Sequence, residues 1–576
     1  MNRIDRVVIA GLVLVIAIAA IAIGGPTLAP PKAGPSVSPS SAPPPVYTEG
    51  VLGHPTSINP LAARTQADRD LVALVFEGLV TLDPRGEPRP ALARSWSMTA
   101  DGKSWTFKLR DDAEWHDGNP VTAADVAFTV ATLANPDYHG PGSGSWTGIT
   151  ATAVDPLTVR FDLTDPIAGF IVLATQPIAP AHLLGETPPG EMADDPFGAE
   201  PVGSGPYALV ELDRDHAALE PAAKVAGPAQ SPGASPGAAT LDPLATARPT
   251  PHTGRVEPGI ARIEIRFFDD PNALIGAYRD GKVDAVSGLD PAATAPLRDV
   301  TGGRLVREPS MTLTAVALNL RPSHPELTDP RTRAALLGAI DRPRILSVAY
   351  GGLAAAADGL VPPSSWAFDA GASPRVGRDL AAAAKSLTAA GWTKAKDGWH
   401  RGKTADPYEL ELLVPERGAN PVLFSIGAQV AADWKALGFT VQVVEIDPAT
   451  LAADRLRTGD FTAAVVSIAI GHDPDLYPIL ASSQTRTGGA NLFGLQDPVL
   501  DDLLEAARKP APEAARIAAF SAVQKRLAGG TYVLPIAWPD TVVAVDSRLS
   551  GTENRPVADG SERFWDVLAW RLADDR

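Results

Sequence analysis

The sequence predicts an α/β body of more than one lobe, built on mixed sheets. Its 576 residues exceed the roughly 250–300 that one hydrophobic core organises. Apolar residues make up 45% of the chain, enough to fill several cores. Period-2 strand patterns alternate with helical ones along most of its length, which is the signature of α/β lobes.

At the N-terminus, Arg3 and Arg6 precede Val7–Gly25, an apolar run without a charge. It matches the ~20 residues that span a bilayer and exceeds the ~7–15 of a signal-peptide core. As an uncleaved anchor (residues 1–25) it puts its basic end in the cytoplasm and the body outside. As a cleaved signal it would end near Thr27-Leu-Ala29. Both readings export the protein. Residues 26–45, rich in Pro and Ser, read as a disordered spacer.

Within the body, Trp105, Phe107 and Leu109 alternate with Thr106 and Lys108 as a half-buried strand does. Asp117-Gly118 supplies a turn, and Thr122-Ala-Ala-Asp125 has capping-box spacing at the start of a helix. Gly203-Ser-Gly-Pro-Tyr207 turns into another strand. Residues 220–258 are rich in Pro, Ala and Gly and read as a mobile insert that cannot bury enough apolar surface to order itself. Ile260–Phe268 is strand-like and Asn272–Arg279 helical. Ala315–Leu320 is a strand, and Asp329 caps a helix that begins with Pro330 and turns Leu336, Leu337 and Ile340 to one face. Further helices are predicted over Ala381–Ala390, Val422–Leu437, Pro498–Ala507 and Pro512–Leu527, with strands over Tyr408–Val414, Thr440–Ile446, Phe461–Ile470 and Tyr532–Ala537.

Several of these pieces occur in an order that resembles the extracellular solute-binding proteins of family 5, the peptide, nickel and oligosaccharide receptors of ATP-driven importers. They are Glu77-Gly-Leu with Asp83, Leu92-Ala-Arg-Ser-Trp96 with Asp101-Gly102, and Trp115-His-Asp-Gly118 through Asp125-Val126. Gly203–Tyr207 and the block Asn319-Leu-Arg-Pro322, Asp329–Arg333, Ala339–Arg342 continue the pattern. The resemblance covers Val46 to Trp570. It implies a two-lobed periplasmic-binding-protein fold of type II with an extra inserted subdomain. Lobe I would be residues 46–310, with the subdomain at about 91–201, and 531–576. Lobe II would be 311–530, with crossings near Pro309–Thr314 and Thr531–Ala537.

Composition limits the chemistry. A net charge of −17 and the lack of a basic stripe disfavour nucleic acid and anionic membrane surfaces as partners. No cysteine is present, which removes disulfides, thiolate metal sites, cysteine nucleophiles and a lipidated cysteine tether. Adjacent acids such as Asp111-Asp112, Asp194-Asp195, Asp269-Asp270 and Asp501-Asp502 diverge in space and read as solvated or capping groups. The histidines form no H-E-x-x-H, and G-S-G-P-Y lacks the spacing of a nucleophile elbow. No cofactor or metal is expected, nor an enzyme. A phosphate-binding G-x-x-x-x-G-K-[ST] is also absent, so the transport ATPase would be another chain, acting with permease subunits. His116 is read as structural, because its turn already explains the motif.

The expected function is the substrate-binding component of an importer, a monomer that captures a small solute between its lobes; a membrane-anchored sensor of the same fold is the alternative and a hydrolase a distant one. Candidate ligand contacts are Arg64, Thr65 and Gln66 in a segment that lies near the ligand in relatives, Trp146 and Trp366 as aromatic linings, and Ser467, Ile470, His472 and Asp473. Each has a plain structural reading beside it: a helix start for the first three, a loop anchor for Trp146, core for Trp366. Peptide-binding relatives carry an acid for the ligand's amine where Ile470 stands. Its loss predicts poor binding of unblocked di- to pentapeptides. Asp473 could replace it, or could cap the turn at Pro474.

Overall fold

The computed structural model describes residues 45–142, 144–222, 258–402, 406–486 and 489–573. The apolar run Val7–Gly25 and the spacer therefore lie outside the described residues. So does most of the insert, although Glu220 and Pro221 close the strand His216–Pro221 and Ala222 is buried. Among the described residues no helix is long and apolar enough to cross a membrane.

One strand explains how the body is divided. Val533–Asp546 pairs through Val533–Ala537 with Thr314–Ala317, and through Asp540–Asp546 with Gly303–Pro309. The two partner strands, Gly303–Pro309 and Thr312–Leu318, follow each other with only Ser310 and Met311 between them. The half of the sheet that carries Gly303–Pro309, Ala285–Ser287, Val46–Leu52, Arg262–Phe268 and the hairpin 207–221 is lobe I. Lobe II carries Thr312–Leu318, Ala463–Ala469, Glu409–Pro415 and Thr440–Ile446. Ala537, Trp538 and Pro539 also pair with Ala356, Ala355 and Ala354, and the pairing with Gly303–Pro309 begins at Asp540. The expected strand Tyr532–Ala537 therefore continues to Asp546, carried by the apolar run Val542–Val545. Pro535 has no amide hydrogen to give the ladder, and the register shifts beside it between Thr314 and Ala315.

Lobe II is a three-layer α/β unit. Along Thr312–Leu318, Val316 and Leu318 enter one core with Ile345, Trp399 and Trp434, while Leu313, Ala315 and Ala317 enter another with Phe461, Leu480 and Phe520. A strand buried on both faces sends successive side chains to opposite helix layers. The helices follow the predicted caps. Asp329 accepts from the Arg331 amide with Pro330 at the first position, and Leu336, Leu337 and Ile340 are buried.

Lobe I holds a separate four-stranded antiparallel sheet in the order Ala93–Met98, Ser104–Leu109, Thr158–Leu163, Ile149–Asp155. Trp105, Phe107 and Leu109 are buried, as the alternation requires. Thr122 and Asp125 form the capping box of Ala123–Leu133, and Thr65 with Asp68 forms another on Gln66–Val75. The sequence motifs meet here. A Cβ on Gly203 would lie 1.8 Å from the Val75 carbonyl oxygen, so only glycine allows that approach. The Gly205 amide donates to Val75, and His116 bonds the Gly205 carbonyl at 3.0 Å. Burial holds the His116 imidazole below its ordinary range, which fits the structural reading of that residue.

Candidate functional site

A cavity of about 330 Å³ lies where the two strands cross, and its walls come from both lobes. Lobe I contributes Gln66, the loop Ser287–Pro291 and Arg563; lobe II contributes Tyr350, Asn420 and Ser467. The crossing strands supply Ser310, Thr312, Thr314 and Pro539–Val543. Each polar group is set by local structure. Gln66 opens the helix capped by Thr65, and Asn420 caps Pro421–Leu437 by accepting from the Leu423 amide. Tyr350 ends the helix Arg342–Tyr350, and its hydroxyl meets Thr314 Oγ1 at 2.7 Å. Burial lifts that hydroxyl to about 12, with a further push from Asp290.

Behind the lobe I wall, Arg563 donates to both oxygens of Asp70 (2.7 and 2.8 Å) and to Glu49 (2.7 Å). All three side chains are buried. Burial opposes the arginine's charge, but the two carboxylates outweigh it and hold the guanidinium protonated. Burial also pushes the Asp70 carboxyl up, against the pull of Arg563. Gln66 joins this group through a 2.7 Å hydrogen bond to Asp70. The cavity wall is thus stiffened from behind by paired charges.

The lobes touch beyond the cavity. His472 of lobe II meets Glu562 of lobe I at 2.8 Å, and Glu562 also lies 3.4 Å from Arg555. The Ala168 amide donates to Arg508 at 2.8 Å, and a Cβ on Gly169 would lie 2.5 Å from Asp473 Cγ.

The predicted contacts separate into groups. Gln66 and Ser467 share the interlobe cavity. Thr65 is the cap behind Gln66, and Arg64 is exposed with its guanidinium 3.3 Å from the His139 carbonyl. Trp146 packs edge-on against Phe170 and lines a different cavity, of about 780 Å³, whose walls belong wholly to lobe I. Trp366 lines neither cavity: it packs on Phe520, with Arg516 stacked 4.7 Å over its ring. Ile470 is buried in a lobe II core, its amide bonded to the Met311 carbonyl. Asp473 neither faces a free site nor caps its turn with its side chain: Arg516 pairs with it at 2.8 Å, both side chains being nearly buried. That corrects the turn-capping reading. Asp290, Tyr350, Asn420 and Arg563 were not singled out by sequence. Asp290-Pro291 and Asn420-Pro421 carry only helix-start signals, and Arg563 carries none.

Three comparisons bear on this architecture. A family model described as bacterial extracellular solute-binding proteins, family 5, middle region, matches residues 87–490. Protein XP55 of Streptomyces lividans is 28% identical over 520 residues, 87% of this chain and 86% of that protein. The glutathione-binding protein GsiB of Escherichia coli K12 is 26% identical over 317 residues, 54% of each. Among solved structures, the oligopeptide-binding protein AppA of Bacillus subtilis with a nonapeptide superposes with a TM-score of 0.72 at 21% identity, covering 92% of this chain and all of that one. NikZ of Campylobacter jejuni with Ni(L-His) gives 0.70 at 22%, with the same coverage. These likenesses establish the two-lobed α/β binding-protein fold.

Proposed function

The chain belongs to family 5 of the bacterial extracellular solute-binding proteins, and on that premise we propose that it is the receptor of an ABC importer that captures a small solute between its lobes. The observation that carries this reading is the cavity walled by both lobes at their crossing strands. A ligand there touches Gln66 and Ser467 together only when the lobes are shut, so binding shifts the population toward the closed form that a permease recognises. Relatives of this chain are named as solute-, glutathione- and oligopeptide-binding proteins, and two structural neighbours as binding proteins of ABC transporters.

Residues 46–310 and the return after Pro539 act as one lobe, 311–538 as the other, and the pair Ser310-Met311 with Trp538-Pro539 as the hinge. The run Val7–Gly25 holds the body outside the membrane as an uncleaved anchor. Sequencing the N-terminus of the membrane-fraction protein tests the anchor, and a start at or after Pro30 refutes it. The function is tested by native mass spectrometry of the protein purified from its own cells, combined with small-angle scattering. A retained small solute whose removal opens the lobes supports the reading. A chain that holds no solute and keeps one shape with every solute offered refutes it.

A further inference from the structure

We propose that the interlobe cavity takes a small cationic solute, carrying an ammonium or guanidinium group, and that the Asp290 carboxylate is its counter-ion. The proposal rests on the solute-receptor reading and adds the charge class of the ligand and the residue that selects it.

Asp290 begins the short 3-10 helix Pro291–Leu297, yet its side chain makes no capping hydrogen bond there. Its backbone carbonyl accepts from the Ala293 amide, but its carboxylate has no hydrogen-bond or ion-pair partner among the described residues. The other charged groups of the wall are matched. Asp540 is held by Arg307 through Nε at 2.8 Å, and Arg563 lies between Glu49 and Asp70. The charged residues lining the cavity are Asp290, Asp540 and Arg563, two carboxylates to one guanidinium, and the guanidinium is already taken by Glu49 and Asp70 behind the wall. The excess is negative, and Asp290 is the member with nothing to answer it. Asp290 is exposed and lines the cavity; partial loss of hydration among its neighbours pushes the carboxyl above the usual range, with no cation opposing the effect. An anion in that setting is stabilised by any cation that enters.

The opposite wall suits the rest of such a ligand. Tyr350 and Thr314 present hydroxyls bonded to each other, Ser467 adds a third, and Asn420 lines the cavity while its oxygen caps the helix. None of these groups is charged, so the opposite lobe orients without competing for the cation. Asp290 is on lobe I and Tyr350, Asn420 and Ser467 are on lobe II, so a cation held by the one and oriented by the others bridges the closed form. About 330 Å³ is at the small end of ligand pockets and fits a diamine or an amino-acid amide better than an extended peptide.

The test is calorimetry on the full chain in detergent, wild type beside Asp290→Asn and Asp290→Glu. The panel comprises butane-1,4-diamine, agmatine and the Nα-acetylated amides of lysine and arginine, with butane-1,4-diol and Nα-acetylcitrulline amide as neutral counterparts and succinate as the anion. Because the carboxylate makes no bond within the protein, neither variant should lower the melting temperature, and Asp290→Asn, which removes a poorly hydrated charge, should hold or raise it at neutral pH. At least one cation should bind the wild type, its neutral counterpart should not, and Asp290→Asn should weaken the cation thirtyfold or more while Asp290→Glu stays within tenfold. Native mass spectrometry of the protein from its own cells supplies an independent arm, in which a retained solute should carry a positive charge. A neutral or anionic retained solute, or cation binding unchanged in Asp290→Asn, overturns the proposal and leaves the receptor reading standing. Absence of binding across the panel together with no retained solute overturns both.

Discussion

Replacing His472 by alanine should open the lobes without unfolding them. Its imidazole is buried and meets Glu562 across the interface at 2.8 Å. A hydrogen bond to a charged group contributes about 1.5–3 kcal/mol. Glu562 keeps Arg555 at 3.4 Å, and its side chain is 26% exposed, so water can replace part of what is lost. We therefore expect the low end, about 1–2 kcal/mol, which corresponds to a roughly 5- to 30-fold lower ratio of closed to open protein. The open form lacks the contact, so the whole effect falls on closure. The chain contains no cysteine, so Glu186→Cys in the lobe I subdomain and Lys396→Cys in lobe II, both exposed, can carry a dye pair alone. Single-molecule energy transfer then reads the interlobe distance directly. Glu562→Gln should shift the distribution the same way, and the double variant should add little to either single change. A lower melting temperature with an unchanged distance distribution would refute the argument and make His472 an ordinary packing residue.

Three further outcomes are expected. Burial pushes the Glu308 carboxyl up to about 7, against Arg563 and Arg555, which pull it down. Its folded pKa is thus above the unfolded ~4.3, so the stability it contributes is complete below that value and is lost as pH rises through 7; Glu308→Gln should gain on the order of 3 kcal/mol in urea unfolding at pH 8 and little at pH 4. Unblocked di- to pentapeptides should bind weakly in calorimetry, because Ile470 is buried and uncharged, Asp473 is held by Arg516, and a peptide's carboxylate end is repelled by the unpaired Asp290; submicromolar binding abolished by N-acetylation would refute this. Replacing Lys224–Arg255 by a short Gly-Ser link should leave the melting temperature nearly unchanged, since that composition cannot build a core, and a large loss would mean that the insert packs on the body.

Much of the local structure was legible because its causes are local. The capping box Thr122–Asp125, the cap Asp329-Pro330 and the alternation Trp105–Leu109 each depend on neighbours a few residues away, and all three form as read. The binding family was legible for a related reason: turns such as Gly203–Tyr207 need particular residue types, here a glycine pressed against Val75. Gln66 and Ser467 could be placed near the cleft by pattern, but the partners around them could not.

By itself, then, the sequence determined the α/β class, most elements and their caps, and the solute-binding family. Tertiary structure decided the cleft. Asp290, Tyr350 and Asn420 are separated by 60 residues or more and meet only because Val533–Asp546 pairs with strands some 220 positions earlier in both lobes. That pairing is set by burying both faces of a shared sheet, a condition no local window contains. The same holds for charge: Asp473 and Asp290 are both Asp-Pro dipeptides in the chain. Only the folded structure brings Arg516 to the first and leaves the second facing an open cavity, because electrostatic pairing depends on distance in space.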